Sequence, residues 1–429
     1  MKKILFICAF AALASCKEEA PTKIDNITQV EDYQQYLDND ESEIIASLKN
    51  EMVELKEEVA GDTTRIGLNA RMAGKLDRLF DLTGEVDYLN ESVRFRESVV
   101  TNTYIRPENS KHALAQAYIK QHRFKKADSL MRSFTQEYVS PQSKMVQFDI
   151  AMELGEYQKA ETLLDSMRNA GDYSYLIRAA KWNDHIGQLD TTINLMERAM
   201  ELADQSGDQG SMLWSYSNIA DYYGHHGDLE KSYEHYLKTL KKDPTNTYAL
   251  KGIAWIAYSH DRDVEEARTI LQRISERHPT PDYNLDLAEL EEFEGDTAAA
   301  KELKDDFMQR VADPAYRGMY NAYKIIEFID AGRSQQAVDL ARVEVQNRAT
   351  PETYDLLGYA LLSNGEPEAA LKNHQQYVIG KTFEPKAQLH TALIYNANGM
   401  EKQAQELKKE LIKTEYEMGP VVYKKIMAL

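Results

Sequence analysis

The stretch PETYDLLGYALLSNGEPEAALKNHQQYV, residues 351–378, contains two apolar segments on either side of Gly365. Hydrophobic residues recur three or four positions apart in both segments, which is typical of helices with one buried face. A glycine at this point can take the left-handed conformation that ends a helix. Gly358 and Ala370 are small enough for two antiparallel helices to pack closely. The stretch therefore predicts a helix pair joined by a tight turn.

The same pattern recurs along most of the chain. A small residue opens the second helix of each unit, and successive ones are 32 to 40 residues apart: Ala127, Ala160, Thr192, Ser232, Ala267, Ala300, Ala337, Ala370 and Ala404. The turn position lies five residues before each of them. It is glycine in seven of these nine units, and His122 or Arg262 in the other two. A weaker unit around Gly84 precedes them.

A period near 34 residues with this small–turn–small pattern resembles the tetratricopeptide repeat. The positions of that motif in residues 351–378 are Tyr354, Leu357, Gly358, Leu361, Gly365, Ala370 and Tyr377. The resemblance implies an all-α fold, a right-handed superhelical solenoid of about ten helix pairs. It covers residues 65–415. We expect a capping helix before it, over 41–64, and another after it, over 416–429.

The first sixteen residues, MKKILFICAFAALASC, combine two lysines, a ten-residue apolar run and small residues before a cysteine. The run is too short to span a bilayer, so it predicts a signal peptide over 1–15. Leu-Ala-Ser-Cys resembles the lipobox of bacterial lipoproteins and implies lipidation of Cys16. An ordinary secretory cleavage near a cysteine is the alternative. Residues 17–19 are similar to the charged tether of Bacteroidetes lipoproteins. The resemblance implies lipid anchorage in the outer membrane, on the periplasmic or the cell-surface side.

Residues 16–40 lack helical periodicity and are rich in polar side chains. We expect them to form a lipidated N-terminus followed by a flexible tether. A flexible segment of this length has a root-mean-square reach of about 25–30 Å.

Composition and motifs exclude several classes of function. The net charge of −19 provides no basic stripe for nucleic acid and opposes adhesion to anionic lipid, so membrane contact is expected through the anchor only. The sequence has no zinc-protease helix, phosphate loop, dinucleotide fingerprint or nucleophile elbow. Its two cysteines are Cys8, in the signal peptide, and Cys16. We expect no catalytic residues, no cofactor and no enzymatic activity.

Histidines raise the question of a metal site. The stretch HHGDLEKSYEHY, residues 225–236, contains three, but Gly227 marks it as a repeat turn that separates His235 from the other two by about 10 Å of helix. His185, His225 and His260 share one position in three successive units. Such a ladder could bind a metal or respond to pH, or it could be ordinary groove residues. Neighbouring helices lie about 8–10 Å apart, so we predict no metal site.

In proteins of this type, the first helix of each unit lines a concave face that binds partners. Six positions are candidates for that face: Trp214, Asp221, His225, Ile256, His260 and Tyr359. The resemblance implies a scaffold that binds a protein or peptide partner in the cell envelope. The alternative is capture of a glycan or nutrient, as in SusD-like lipoproteins. Those proteins interrupt their repeats with long non-repeat segments, which regular units leave no room for here.

Lipidation can be tested with Cys16→Ser. We expect this variant to move from the membrane fraction to the soluble fraction, because an acylated cysteine would supply the anchor. One myristoyl chain binds membranes with only about 10⁴ M⁻¹, so stable anchoring requires the several chains of a mature lipoprotein. Intact-mass analysis checks the modification. An unmodified N-terminus other than residue 16 would contradict it.

Overall fold

The computed structural model describes residues 26–39, 41–59, 64–133 and 140–429. The predicted signal peptide, Cys16 and the first part of the expected tether lie outside the described residues. Throughout the described ranges the regular elements are helices, without a β-strand. None of these helices is both long enough and apolar enough to cross a membrane.

Two helices precede the repeats, α1 (Val30–Leu37) and α2 (Ser42–Val59). The described chain then forms ten consecutive helix pairs: α3 (Ile66–Thr83) with α4 (Val86–Asn102), α5 (Glu108–Lys120) with α6 (Phe124–Arg132), α7 (Pro141–Leu154) with α8 (Tyr157–Asp165), α9 (Tyr173–His185) with α10 (Leu189–Ser206), α11 (Gln209–His226) with α12 (Leu229–Lys242), α13 (Thr247–Ile256) with α14 (Val264–Arg277), α15 (Tyr283–Glu294) with α16 (Thr297–Arg310), α17 (Asn321–Asp330) with α18 (Ser334–Asn347), α19 (Pro351–Ser363) with α20 (Pro367–Tyr377), and α21 (Pro385–Ala397) with α22 (Glu401–Leu411). A π-helical turn (Ala257–Asp261) extends α13, a 3₁₀ turn (Pro314–Tyr316) precedes α17, and α23 (Glu415–Met427) ends the chain.

The predicted turn residues join the two helices of each pair. Gly365 has φ of 78°, and the other six predicted turn glycines also have positive φ. His122 and Arg262 take the same left-handed conformation, with φ of 56° and 62°. That conformation costs a residue with a side chain about 1–2 kcal/mol. The turn register predicted from the sequence is therefore correct even where glycine is missing.

Small residues form the contact between paired helices. The second small position is fully buried in most units, as at Ala127, Ala267, Ala337, Ala370 and Ala404. Each pair also packs on the next pair along the chain. The prediction of an all-α solenoid built from stacked helix pairs is confirmed.

Residues almost two hundred positions apart also touch. Arg348 donates a hydrogen bond to Glu153 Oε2 at 3.3 Å, across 195 residues of sequence. Close by, a Cβ on Gly155 would lie 2.5 Å from the carbonyl oxygen of Ala349. A Cβ on Gly187 would lie 2.7 Å from Cγ of Phe383. One turn of the superhelix therefore rests directly on the next, which leaves no room for a side chain at these turn glycines.

The N-terminal segment corrects the prediction of a flexible tether over 16–40 within its described part, residues 26–39. Within residues 26–39, α1 packs against α12 and α14. Tyr33 is fully buried there, and its hydroxyl donates to Glu266 Oε1 at 2.9 Å. The backbone N–H groups of Ile27 and Thr28 donate to the Asp261 carboxylate at 3.0 and 2.9 Å. The polar composition concealed a short helix whose few apolar side chains share one face.

The contact inside one helix pair can be tested at Gly358. A Cβ at this position would overlap the imidazole of His374, which is fully buried. We expect Gly358→Ala to lower the free energy of unfolding by about 1–3 kcal/mol through overpacking. The matched control is Gly74→Ala in α3, where a Cβ meets nothing within 4 Å. The control should be neutral or stabilising by up to about 1 kcal/mol. Equal urea midpoints for the two variants would contradict the packing account.

Candidate functional site

The layer of helix pairs has two sides that differ in what covers them. On one side, α1 contacts α12 and α14, the second helices of their pairs. On the other side, α23 contacts α11, α15 and the π-helical turn after α13. We call the side formed by the first helices the inner surface. It is the side that the sequence assigned to partner binding.

A half-open pocket of about 220 Å³ lies on the inner surface between α11, α13, α15 and the C-terminal residues. Much of its wall is aromatic: Tyr236, Tyr248, Trp255, Tyr258 and Tyr416. Its charged and ionisable residues are Asp221, His225, Lys251, Asp286 and Glu417. Aromatic side chains that combine an apolar body with a polar tip are common where proteins bind one another.

Asp221 is held at the centre of this wall by two tyrosines. The hydroxyls of Tyr236 and Tyr248 each donate to its carboxylate at 2.5 Å. Burial raises the pKa of Asp221, and the two hydrogen bonds oppose that change. Tyr248 remains 53% exposed and forms the open edge of the pocket.

Lys251 neutralises part of the acidic surface. Its Nζ lies 2.6 Å from Asp286 Oδ2 and 3.2 Å from Asp282 Oδ2. Burial lowers the pKa of Lys251, but the two carboxylates outweigh that effect and raise it overall. Burial raises the pKa of Asp286, and the ammonium offsets part of the shift. Lys251 and Asp286 thus form an ion pair inside the wall of the pocket.

Other carboxyl groups nearby have weaker compensation. Burial raises the pKa of Glu289 to about 7, although the Tyr258 hydroxyl donates to it at 3.2 Å. Burial also raises the pKa of Glu417, and Asp184 adds to the shift by repulsion. Several acidic side chains are therefore crowded where they are only partly solvated.

The C-terminal residues 415–429, which we call the tail, cross the inner surface beside this pocket. The indole Nε1 of Trp255 donates to the carbonyl oxygen of Tyr416 at 3.0 Å. Arg262 pairs with Glu415 at 2.5 Å. Gly419, with φ of 74° and ψ of 159°, then interrupts the helical geometry of α23. The tail thus begins with a short helical turn, kinked at Gly419, that contacts α11, α13 and α15.

The second part of the tail packs on the last helix pair. Met418 and Ile426 form an apolar cluster with Leu389 of α21 and Leu411 of α22. The tail, expected as a capping helix over 416–429, packs on the end of the repeats. It also reaches the middle units, which the sequence did not predict.

The six predicted groove residues separate into four groups. Asp221 and His225 line the pocket, and Trp214 is 41% exposed outside it. Ile256 corrects the prediction, because its side chain is fully buried in the core and cannot touch a partner. The neighbouring Trp255 faces the pocket instead.

The other two predicted residues make contacts away from the pocket. His260 Nδ1 lies 2.8 Å from Asp261 Oδ1, beside the docked N-terminal segment. Tyr359 stacks on His390 at 3.9 Å between ring centroids. His390 in turn bonds to the buried carboxylate of Asp355 at 2.8 Å. The geometry thus links Tyr359 to a buried polar network between α19 and α21.

The histidine positions do not converge. His185 stacks on Tyr157 at 4.0 Å, and burial lowers the pKa of His185. His226 lies 3.1 Å from Asp190, and His235 Nδ1 lies 2.8 Å from the carbonyl oxygen of Lys231. Over the part of the chain that the structure describes, no group of three or more His, Cys, Asp or Glu has the spacing of a metal site. The absence of bound metal stays a prediction.

Sequence reasoning missed four residues that shape the site: Tyr248, Lys251, Trp255 and Tyr416. The abundance of tyrosine, 26 in the chain, was the one signal of an aromatic surface. Nothing local in the sequence indicates that residues 415–420 meet units more than 150 residues earlier.

Three solved structures are similar to this chain. A tetratricopeptide repeat protein from Parabacteroides merdae is 14% identical with a TM-score of 0.35, covering 60% of this chain and 97% of that one. The APC/C hetero-tetramer Cut9–Hcn1 is 10% identical with a TM-score of 0.33, covering 93% and 99%. Yeast Tom70 is 12% identical with a TM-score of 0.41, covering 90% and 85%. No family model matches the chain, and no curated protein does. The fold assignment rests on the helix pairs themselves.

The pKa of Glu289 generates a prediction about pH and stability. Because its folded-state pKa of about 7 exceeds the usual 4.5, its protonated form favours folding. This contribution is complete below pH 4.5 and is lost as pH rises through 7. We expect Glu289→Gln to remove on the order of 1–2 kcal/mol of the decrease in stability between pH 5 and pH 8.

Urea unfolding of both proteins at the two pH values measures the difference. Comparison with the parent protein removes the contribution of the other titrating groups, which both proteins share. Identical pH dependence in the two proteins would show that Glu289 ionises normally.

Proposed function

We propose that this protein is a lipid-anchored scaffold of the cell envelope that binds a protein segment on its inner surface. One observation carries the proposal: the inner surface already holds a stretch of polypeptide. Trp255 binds a backbone carbonyl of the tail, and Arg262 binds a side chain of it. A surface that recognises both backbone and side chains has the chemistry needed to bind a peptide segment.

The pocket beside the tail, which Tyr416 and Glu417 also line, adds contact surface for a partner. Its open edge carries Tyr248, which is more than half exposed, and His225, which is also exposed. Aromatic residues of this kind give a binding surface a large contact area with few side-chain rotations to restrict. The carboxylates there pair with tyrosines and with Lys251, which suits binding rather than catalysis.

The anchor is proposed from the sequence. Lipid on Cys16 would hold the protein to the outer membrane, on the periplasmic or the cell-surface side. Asn26 lies ten positions after Cys16, a distance in sequence that spans at most about 35 Å. Because residues 26–39 dock on α12 and α14, that face would lie near the lipid. The inner surface of the same units would then face away from it.

Glycan capture is less well supported. Regular helix pairs occupy the described parts of residues 66–411, with no long segment inserted between units. A sugar site of the SusD kind would require such a segment. The scaffold role therefore agrees better with the architecture.

Site-specific photocrosslinking in intact cells tests the proposal. A photoreactive residue at His225 should yield a defined adduct with a partner protein, because this position lines the pocket. The matched control is Val343, which is 54% exposed on α18, a second helix of its pair. The same adducts at both positions, or none at His225, would contradict binding on the inner surface.

A further inference from the structure

We infer that the tail occupies the seat of the partner segment, and that the partner presents the same chemistry: a short segment with a carboxylate directly before an aromatic residue. The inference rests on the proposed function, because it assumes that the inner surface binds protein. It adds which part of that surface is used and which side chains it recognises.

The seat of Tyr416 is formed by a glycine inside a helix. Gly224 lies within α11, where glycine is less favourable than alanine. A Cβ there would lie 2.9 Å from Cε1 of Tyr416 and 3.1 Å from its hydroxyl oxygen. A residue that weakens the helix thus stands where an aromatic ring needs the space.

Arg262 gives a second, independent indication. It stands at a turn where most units have glycine, and it holds a left-handed φ of 62° that disfavours any side chain. Its guanidinium pairs with Glu415, one residue before Tyr416. The strained position thus carries the group that recognises the carboxylate.

Trp255 fixes the direction of the bound segment. Its indole N–H donates to the carbonyl oxygen of Tyr416, a contact that any residue could supply. The tail then bends at Gly419, where a Cβ would lie 2.8 Å from Cη2 of Trp255 and 2.6 Å from Oε1 of Glu289. The carboxylate, the ring and the bend together define a recognised sequence of about five residues.

The next tail residue fits less well. Glu417 lies near Asp184, His225 and Lys386, and Glu384 is also a neighbour. Burial and Asp184 both raise the pKa of Glu417, so the carboxylate is poorly stabilised there. A partner without an acidic residue at this position would bind better than the tail and displace it.

Peptide binding to the full-length chain tests the inference. The probe is a fluorescein-labelled synthetic peptide with the sequence of residues 413–424, and anisotropy measures its affinity. Tyr416→Ala should bind it at least tenfold more tightly than the parent protein, because its own tail no longer fills the seat. A probe with glutamine for Glu417 should bind more tightly still, and one with alanine for Tyr416 should not bind.

Gly224→Val provides the discriminating variant. It should release the tail, seen as faster hydrogen exchange over residues 415–421, and yet bind the probe no better than the parent. The control Gly74→Ala should match the parent in both measurements. Equal probe affinity in Tyr416→Ala and the parent overturns the inference, and so does tight binding by Gly224→Val.

Sedimentation of Tyr416→Ala mixed with the parent protein tests the other possible occupant. We expect both to stay monomeric. A mixed dimer would show that the seat takes the tail of a second copy, which overturns a separate partner. If His225 yields an adduct but the tail and the probe do not compete for one site, the scaffold role stays intact and the tail has no part in it. If the tail and the probe compete for one site but His225 yields no adduct, the scaffold role is wrong instead.

Discussion

The structure depends on the close approach of two helices where their facing side chains are smallest. At Gly358, the imidazole of His374 fills the space that a side chain would need, and a Cβ there would overlap the ring. Comparable contacts at fully buried alanines hold the other pairs together. A helix pair of this kind has apolar surface left over on both sides, so it is stable only when stacked on its neighbours. The superhelix follows from repeating that requirement ten times within the described chain.

Stacking alone leaves the two sides of the layer open, and the two ends of the chain cover part of each. The N-terminal segment docks through Tyr33 and the carboxylate of Asp261 on the outer side. The tail docks through Glu415 and Tyr416 on the inner side. Both segments reach the same central units, α11 to α15. These units thus hold together parts of the chain that are far apart in sequence.

Local contacts were predictable from the sequence and distant ones were not. The turn register followed from glycine positions, and it is correct even at His122 and Arg262. Counting residues back from the turn position predicted that Asp221 and His225 lie on the binding surface, and both line the pocket. The same count failed at Ile256 and His260, because a π-helical turn over residues 257–261 precedes Arg262. A π turn holds more residues than an α turn, so it rotates the preceding positions about the helix axis.

The central claim is that the tail is docked on the inner surface rather than free at the end of the last helix pair. Hydrogen exchange of the backbone amides, followed by mass spectrometry of the full-length protein, measures this most directly. Residues 415–421 are expected to exchange as slowly as those of α21 and α22. Exchange at the fast rate of an unprotected chain end, with α21 and α22 protected, would contradict it.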